Sequence, residues 1–311
     1  MSKKISMRFV ISLAVVIGLA VVTSLAFAGW VTGSNVFAQN VKTGDWKASL
    51  QDDSARINLN FEQRSERGGR SQMGQTYDFA DLQGLSREQA LSGGMVKFSL
   101  VREAGTIDCE GSFQNGRGSG TFRFTGNQSF VSAMKSRGFD FEEDFTTYNA
   151  RDCEDRLFAA TTLNVTTALA DDLSSAGFGK LHVEDLFKAA IFKIDSRFMR
   201  EMKASGFPNL GMEDLVKARI FKIDADFVSQ VTRMGFDKEP FESLVKMRIF
   251  KITPEFITEV RNEGLTDISI EDLVKMHIFK IDSDFIRQAK AEGVPLEVER
   301  LVQRRIGVGR R

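Results

Sequence analysis

The chain has 311 residues, of which 42 are Lys or Arg and 42 are Asp or Glu, so its formal net charge at pH 7 is zero. This balance provides no electrostatic attraction to nucleic acid. Two His and two Cys residues are too few for a dense metal cluster or a disulfide scaffold. A hydrophobic fraction of 42% with 27% charged residues is typical of a folded globular protein.

The amino terminus has the pattern of an export signal. Lys3 and Lys4 precede an apolar segment over residues 9–31, and a basic flank before an apolar core is typical of secretory signal peptides. Small residues at the expected positions allow cleavage after Ala28 or after Ala38. The pattern therefore predicts that the remainder of the chain is exported.

The same apolar segment is also long enough to span a bilayer of about 30 Å. Retention as an anchor is therefore the alternative to cleavage, and we assign residues 1–38 as a signal peptide or an N-terminal membrane anchor. The expected location is periplasmic or extracellular, or at the inner membrane if residues 9–31 stay attached.

Residues 44–126 are predicted to form an antiparallel β domain. Apolar and polar residues alternate in several segments, which is typical of half-buried antiparallel strands. The alternating segments begin at Trp46, Ile57, Val96, Ile107 and Phe122. A short strand at residues 77–79 and a helix capped by Ser86, with Gln89 three residues later, complete the unit. We expect five or six strands in a meander, as a curled sheet or a small open barrel.

A glycine-rich segment at residues 116–120 could be taken for a phosphate-binding loop. It lies between two predicted strands, however, and no helix N-terminus follows it, so the geometry that binds anions is missing. Asn115 followed by Gly116 is instead a strong signal for a tight β-hairpin. The sequence therefore predicts a hairpin here.

The two cysteines allow two interpretations. Cys109 alternates with Ile107 and Phe113, so it is either a small buried hydrophobic residue or a disulfide partner of Cys153, which an oxidising compartment would permit. Cys153 lies in a polar stretch that also suits a free thiol. Neither cysteine has a nearby His that would indicate a nucleophile.

An internal repeat occupies the rest of the chain, over residues 127–311. The sequence Ile-Phe-Lys-Ile occurs four times at a constant interval, beginning at Ile191, Ile220, Ile249 and Ile278. Leu186 and Phe198 recur at the same interval. A period of about 29 residues is typical of stacked helical units that cannot bury their apolar faces alone. We therefore predict an α+β protein whose β domain is followed by a solenoid-like helical repeat array.

Each repeat is predicted to contain two helices. In the first, Thr253 is the cap, Pro254 is the first helical residue, and Gly264 provides a left-handed end. In the second, Leu273 and Ile278 are expected to face the core. Acidic and basic residues four positions apart are expected to stabilise the second helices; these pairs are Glu184/Lys188, Glu213/Lys217, Glu242/Lys246 and Glu271/Lys275.

The segments 101–106, 116–122, 198–207 and 213–220 resemble a bacterial family found in acidobacteria-like genomes, and the likeness extends from residue 44 to residue 308. In that family this region often follows the membrane metallopeptidase of β-lactam-sensor antirepressors, and it also occurs as stand-alone exported proteins. The metallopeptidase motif His-Glu-X-X-His is absent here, because His182 and His277 are the only His residues. The resemblance therefore implies the sensor or accessory portion without its catalytic part.

We expect an extracytoplasmic, non-catalytic protein-interaction or sensor module that binds its partner through the repeat face. The candidate partner-binding residues are the lysines of the Ile-Phe-Lys-Ile motifs, namely Lys193, Lys222, Lys251 and Lys280. If the flanking Phe and Ile residues are buried, each Lys points outward, and an acidic protein segment or anionic envelope polymer could bind several at once. The alternative is structural, since a cation at a helix C-terminus gains about 0.3–1 kcal/mol.

Two other classes of function stay open. Asp140, Glu142, Glu143 and Asp144 could form the acid/base pair of an envelope hydrolase or a Ca²⁺ site, although their spacing differs from that of a calcium loop and fits a solvated junction better. A purely structural envelope protein is the third class. No Ser-His-Asp order or nucleophile elbow is present, so we assign no catalytic residue, metal, cofactor or nucleic-acid partner.

Overall fold

A computed structural model of the chain describes residues 42–50, 55–64, 70–142 and 153–307. The predicted signal or anchor segment, residues 1–38, lies outside the described residues. The chain divides into two compact units, one reaching to residue 172 and including 180–190, the other comprising 173–179 and the chain from 191 onward. Every helix in the described part of the chain is too short or too polar to cross a membrane.

The first unit contains an antiparallel sheet. Its strands are β1 (Lys42–Leu50), β2 (Arg56–Arg64), β3 (Arg70–Asp78), β4 (Leu82–Gln83), β5 (Gly94–Arg102), β6 (Gly105–Gln114) and β7 (Arg117–Gly126). The order across the sheet is β3-β2-β1-β7-β6-β5-β4. Two meanders are thus joined where β1 pairs with β7, and the sheet curls as predicted into a half-barrel.

Two strands differ from the sequence prediction. Of the segment predicted as a short strand at residues 77–79, the first two residues end the longer strand β3 and Phe79 begins a 3-10 helix. The short β4 was not predicted. β3 lies at an edge of the sheet, and its sequence is mainly polar, so it lacks the alternation that marks the other strands. Pairing with β2 along its length forms this strand, and sequence periodicity cannot reveal such pairing.

Several glycines of the sheet lie against large aromatic side chains. Trp46 crosses β7 so that its indole N–H donates to the carbonyl of Glu110, at 3.1 Å. A Cβ added at Gly111 would lie 2.6 Å from the Trp46 ring, and one added at Gly118 would lie 2.7 Å from Phe113. The absence of side chains at these glycines therefore leaves room for the aromatic rings against the neighbouring strands.

The apolar face of the sheet is covered by a helix, α3, at Cys153–Leu163. Phe158 of this helix stacks on Phe122 at 5.4 Å between ring centroids and meets Phe61 edge-on at 5.8 Å. The hydroxyl of Tyr77 donates to the carbonyl of Thr162 at 3.0 Å, which satisfies a polar group that burial would otherwise leave unpaired. Aromatic packing of this kind makes the sheet and α3 one core.

The other described helices are α1 (Arg87–Ser92), α2 (Gln128–Lys135), α4 (Thr167–Ser175), α5 (Val183–Phe192), α6 (Ser196–Ala204), α7 (Met212–Phe221), α8 (Ala225–Arg233), α9 (Phe241–Ile249), α10 (Pro254–Asn262), α11 (Ile270–Ile278), α12 (Ser283–Ala291) and α13 (Val298–Arg305). In the second unit, α7, α9, α11 and α13 contact one another in succession, and α10 contacts α12. The predicted α+β architecture, a curled sheet followed by a helical array, is thus confirmed.

The predicted helix caps are present. Ser86 and Gln89 form a reciprocal capping box at the start of α1. The Thr253 hydroxyl accepts the N–H of Phe256 at 3.2 Å, and Pro254 is the first residue of α10. Gly264 has φ of 105°, the left-handed conformation that ends a helix at little cost only in glycine.

Candidate functional site

The four candidate lysines, hereafter the lysine row, share one backbone position. Each follows the end of a second helix in the left-handed conformation, with φ of 55°, 54°, 51° and 52° at Lys193, Lys222, Lys251 and Lys280. Asn164, which lies one repeat interval before Lys193, has φ of 56°. The row is therefore a set of helix C-terminal residues in equivalent positions.

The residue that follows Lys222, Lys251 or Lys280 closes the helix end. The N–H of Ile223 donates to the carbonyl of Ala218 at 2.8 Å, and Ile252 and Ile281 make the same bond to Met247 and Met276. These isoleucine side chains are buried, as predicted. The arrangement matches the Schellman motif, in which a left-handed residue is followed by an apolar anchor.

The left-handed conformation at this position is energetically unfavourable for lysine. The left-handed conformation costs an L-residue other than glycine about 1–2 kcal/mol. The interaction of a cation with a helix C-terminus returns about 0.3–1 kcal/mol at an exposed site. The helix dipole thus offsets only part of the cost, and Gly or Asn would serve the backbone better.

The ammonium groups of the lysine row are available to a partner. All four side chains are exposed, and among the residues that the structure describes none of these ammonium groups has a hydrogen-bond or ion-pair partner. Asp195, Asp224 and Asp282 lie two residues after three of the lysines. These carboxylates accept backbone N–H groups at the starts of α6, α8 and α12, so they are bound to the helix ends.

Other lysines of the array bind their neighbours. Lys217 Nζ lies 2.6 Å from Glu242 Oε1 of the following second helix. Lys246 pairs in the same way with Glu271, and Lys275 pairs with Glu299; the hydrogen bond with Glu299 raises the pKa of Lys275. The sequence spacing indicated pairs within one helix, whereas these ion pairs join successive helices.

Arginines also join successive repeats, through a contact that we call the arginine clamp, formed by Arg219, Arg248 and Arg305. The Nη2 of Arg248 donates to the Lys222 carbonyl at 2.7 Å, and its guanidinium lies 3.7 Å from the centroid of the Phe227 ring. Arg219 makes the equivalent contacts with Lys193 and Phe198. Each clamp therefore places the second helix of one repeat beside the lysine that ends the preceding one.

The clamp is repeated at the end of the array and altered once within it. Arg305 donates to the Lys280 carbonyl at 2.9 Å and lies 4.8 Å from the Phe285 ring centroid. His277 occupies the intervening position and meets Phe256 edge-on at 6.1 Å. The sequence pattern predicted no role for these arginines. Arg219 and Arg248 recur at the interval of the repeat, and this recurrence is the sequence feature that could have identified them.

The isoleucines beside the lysines are more exposed than predicted. The helical pattern places Ile278 toward the core, but 52% of its side chain is exposed. The equivalent residues Ile191, Ile220 and Ile306 are exposed by 40%, 38% and 54%, and Ile249 is half-buried. We call these five residues the isoleucine row. Each lies at the end of a second helix, and the first four precede a lysine of the lysine row by two residues. Ile306 is followed instead by the basic tail.

The two candidate carboxylates that the structure describes form ion pairs with a lysine. The ammonium group of Lys135 donates to Asp140 and Glu142, at 3.0 and 3.1 Å, and the hydrogen bonds that Asp140 first and Glu142 second accept raise the pKa of that lysine. Glu143 and Asp144 lie outside the described residues. Across the described ranges no group of three His, Cys, Asp or Glu side chains is arranged to hold a metal ion.

The polar face of the sheet bears a groove of about 790 Å³. Side chains of both charges line it, including Asp45, Lys97, Asp108 and Arg123. Lys97 already pairs with Glu110 at 2.8 Å, and Ser99 donates to Asp108 at 2.6 Å. The groove therefore carries charges of both signs that pair with one another, and it presents no evident reactive group.

Cys109 and Cys153 do not form a disulfide with each other. Cys109 is buried, as one of the two interpretations had it, and burial raises the pKa of its thiol. A buried thiol with a raised pKa is a poor nucleophile, so Cys109 contributes packing to the β domain.

No protein-family model matches the chain, and a search of curated proteins finds no significant match.

Proposed function

We propose that the chain is an exported, non-catalytic interaction module that binds an anionic partner along the lysine row. The observation that supports this proposal is that four exposed lysines occupy left-handed positions and have no partner among the described residues. Strain of this kind is characteristic of functional positions. The basic and apolar pattern before residue 31 supports export.

The geometry supports multivalent binding. Because each arginine clamp reaches the carbonyl of the preceding lysine, successive lysines lie at the same end of successive helices. A partner that contacts several of them gains affinity through effective concentration, even when each exposed ion pair is weak. The resemblance to a sensor or accessory region is consistent with this role.

The experiment removes the charges without disturbing the helix ends. Because Asn164 already occupies the equivalent left-handed position, a variant with Asn at Lys193, Lys222, Lys251 and Lys280 should fold as the parent does. The tagged full chain and this variant are used to capture material from the native membrane fraction at low and at raised salt. We expect the captured partner to decrease at least ten-fold in the variant, and in the parent at raised salt, because salt screens exposed charges over about 8–10 Å.

Lys238→Asn is the matched control. Lys238 is exposed and has a left-handed φ of 58°, but it precedes α9, whereas Lys251 follows it. This substitution should leave capture unchanged. Equal capture by the parent and the four-lysine variant at low salt would show that the row is structural.

A further inference from the structure

Two different rows run side by side along the ends of the second helices. The isoleucine row is apolar, with four of its five residues exposed and Ile249 half-buried, and the lysine row is cationic and unpaired among the described residues. Each lysine follows its isoleucine by two residues at the same helix end. A ligand that covers both rows must carry apolar and anionic groups together.

The spacing of the rows restricts the shape of this ligand. The helices α7, α9, α11 and α13 contact one another in succession, and packed helices lie about 8–10 Å apart. A polyproline II chain rises about 3.1 Å per residue with three residues per turn. One turn therefore advances about 9.3 Å and returns to the same side of the chain, in step with one repeat. A β-strand returns to the same side after about 6.8 Å, which does not match.

Two other occupants fit less well. An anionic polymer without apolar groups would leave the isoleucine row exposed to water, although apolar burial is worth about 25 cal/mol per Å². A second copy of this chain would bring one unpaired lysine row against another, which costs energy between like charges. A preformed polyproline II segment, in contrast, loses little conformational entropy on binding.

We propose that the two rows bind an extended segment of a partner protein in the polyproline II conformation, with an acidic residue at every third position and an apolar residue beside it. The acidic side chains contact the lysine row, and the apolar side chains cover the isoleucine row. This inference rests on the proposed function, because it identifies the chemistry of the partner that the lysine row binds.

The experiment measures binding of a synthetic peptide with four copies of Glu-Pro-Leu to the full chain by fluorescence anisotropy. Peptides in which Glu is replaced by Gln, or Leu by Gln, each lose one class of contact and should bind at least ten-fold more weakly.

Variants of the protein test each row separately. Asn at the four row lysines removes the charges, and Gln at Ile191, Ile220 and Ile278 removes apolar groups that are already exposed, so the fold should tolerate both. Each variant should lose at least ten-fold in affinity for the Glu-Pro-Leu peptide. Met95→Gln is the control, since Met95 is 83% exposed on the sheet.

The outcomes separate this inference from the proposed function. If the lysine variant loses affinity but the isoleucine variant and the Leu-to-Gln peptide do not, the two-row inference is wrong and anionic binding stands. Retained affinity in the lysine variant overturns both. If the parent chain sediments as a dimer that the isoleucine substitutions dissociate, the isoleucine row is an interface between copies and the inference is wrong.

Discussion

The arginine clamp predicts how strongly successive repeats are coupled. Arg248 combines a hydrogen bond of 2.7 Å to the Lys222 carbonyl with a position 3.7 Å from the Phe227 ring centroid. A hydrogen bond from a charged donor contributes about 1.5–3 kcal/mol, and an exposed cation–π contact contributes about 0.5–1 kcal/mol. Because Arg248 is exposed, the low ends of both ranges apply. Arg248→Ala should therefore lower the free energy of unfolding by about 2 kcal/mol.

His277 provides the matched control, because it occupies the clamp position without an arginine. His277→Ala removes only an edge-on ring contact and should lower the free energy of unfolding by less than about 1 kcal/mol. His277→Arg should raise it by introducing the missing hydrogen bond to the carbonyl of Lys251. Arg248→Lys keeps the charge but loses the planar fork, so its effect should lie between those of the parent and Arg248→Ala.

The assay is urea denaturation followed by far-UV circular dichroism, with midpoints compared at a constant m-value. In an array where each repeat contacts only its neighbours, stability depends directly on such interface contributions. A change of less than about 0.5 kcal/mol for Arg248→Ala, the range of ordinary surface substitutions, would refute the clamp as a coupling device. Equal losses for Arg248→Ala and His277→Ala would refute it too.

Two further predictions concern the β domain. Gly111→Ala should destabilise it by about 1–3 kcal/mol, the usual cost of overpacking, because the added Cβ would clash with the Ser119 carbonyl oxygen and lie 2.6 Å from the Trp46 ring; an unchanged melting temperature would contradict the close packing. Cys109 should resist alkylation at neutral pH in the native protein and react after denaturation, since burial both shields its thiol and raises its pKa. Mass spectrometry after iodoacetamide treatment checks this, and native modification at Cys109 would show that the sheet opens there.

Local physical chemistry explains which features the sequence alone could predict. Helix caps such as Ser86 with Gln89, the left-handed Gly264, and the hairpin at Asn115 depend only on neighbouring residues, and all are present. Period-two alternation likewise identified the strands that have one buried face. The repeat identified the candidate lysines. Their left-handed backbone conformation could not be predicted, because lysine has no preference for that conformation.

Contacts between distant segments decided the rest. The pairing of β1 with β7 closes the two meanders into one sheet, and no local pattern encodes which strands become neighbours. The ion pair of Lys217 with Glu242 and the bond from Arg248 to Lys222 join different repeats, so they exist only once the helices stack. These contacts turn a sequence repeat into a continuous surface.

The orientation of Ile278 shows the limit of helical periodicity. At about 100° per residue, Ile278 lies about 40° from Val274 but about 140° from Leu273 around the helix axis. Leu273 and Val274 are buried, and Met276 takes the third inward position, so Ile278 falls beyond the margin of the buried face. The sequence determined that this helix is amphipathic and where it ends. Only the packing of neighbouring helices decided how wide its buried face is, and thereby left a row of isoleucines beside the lysines.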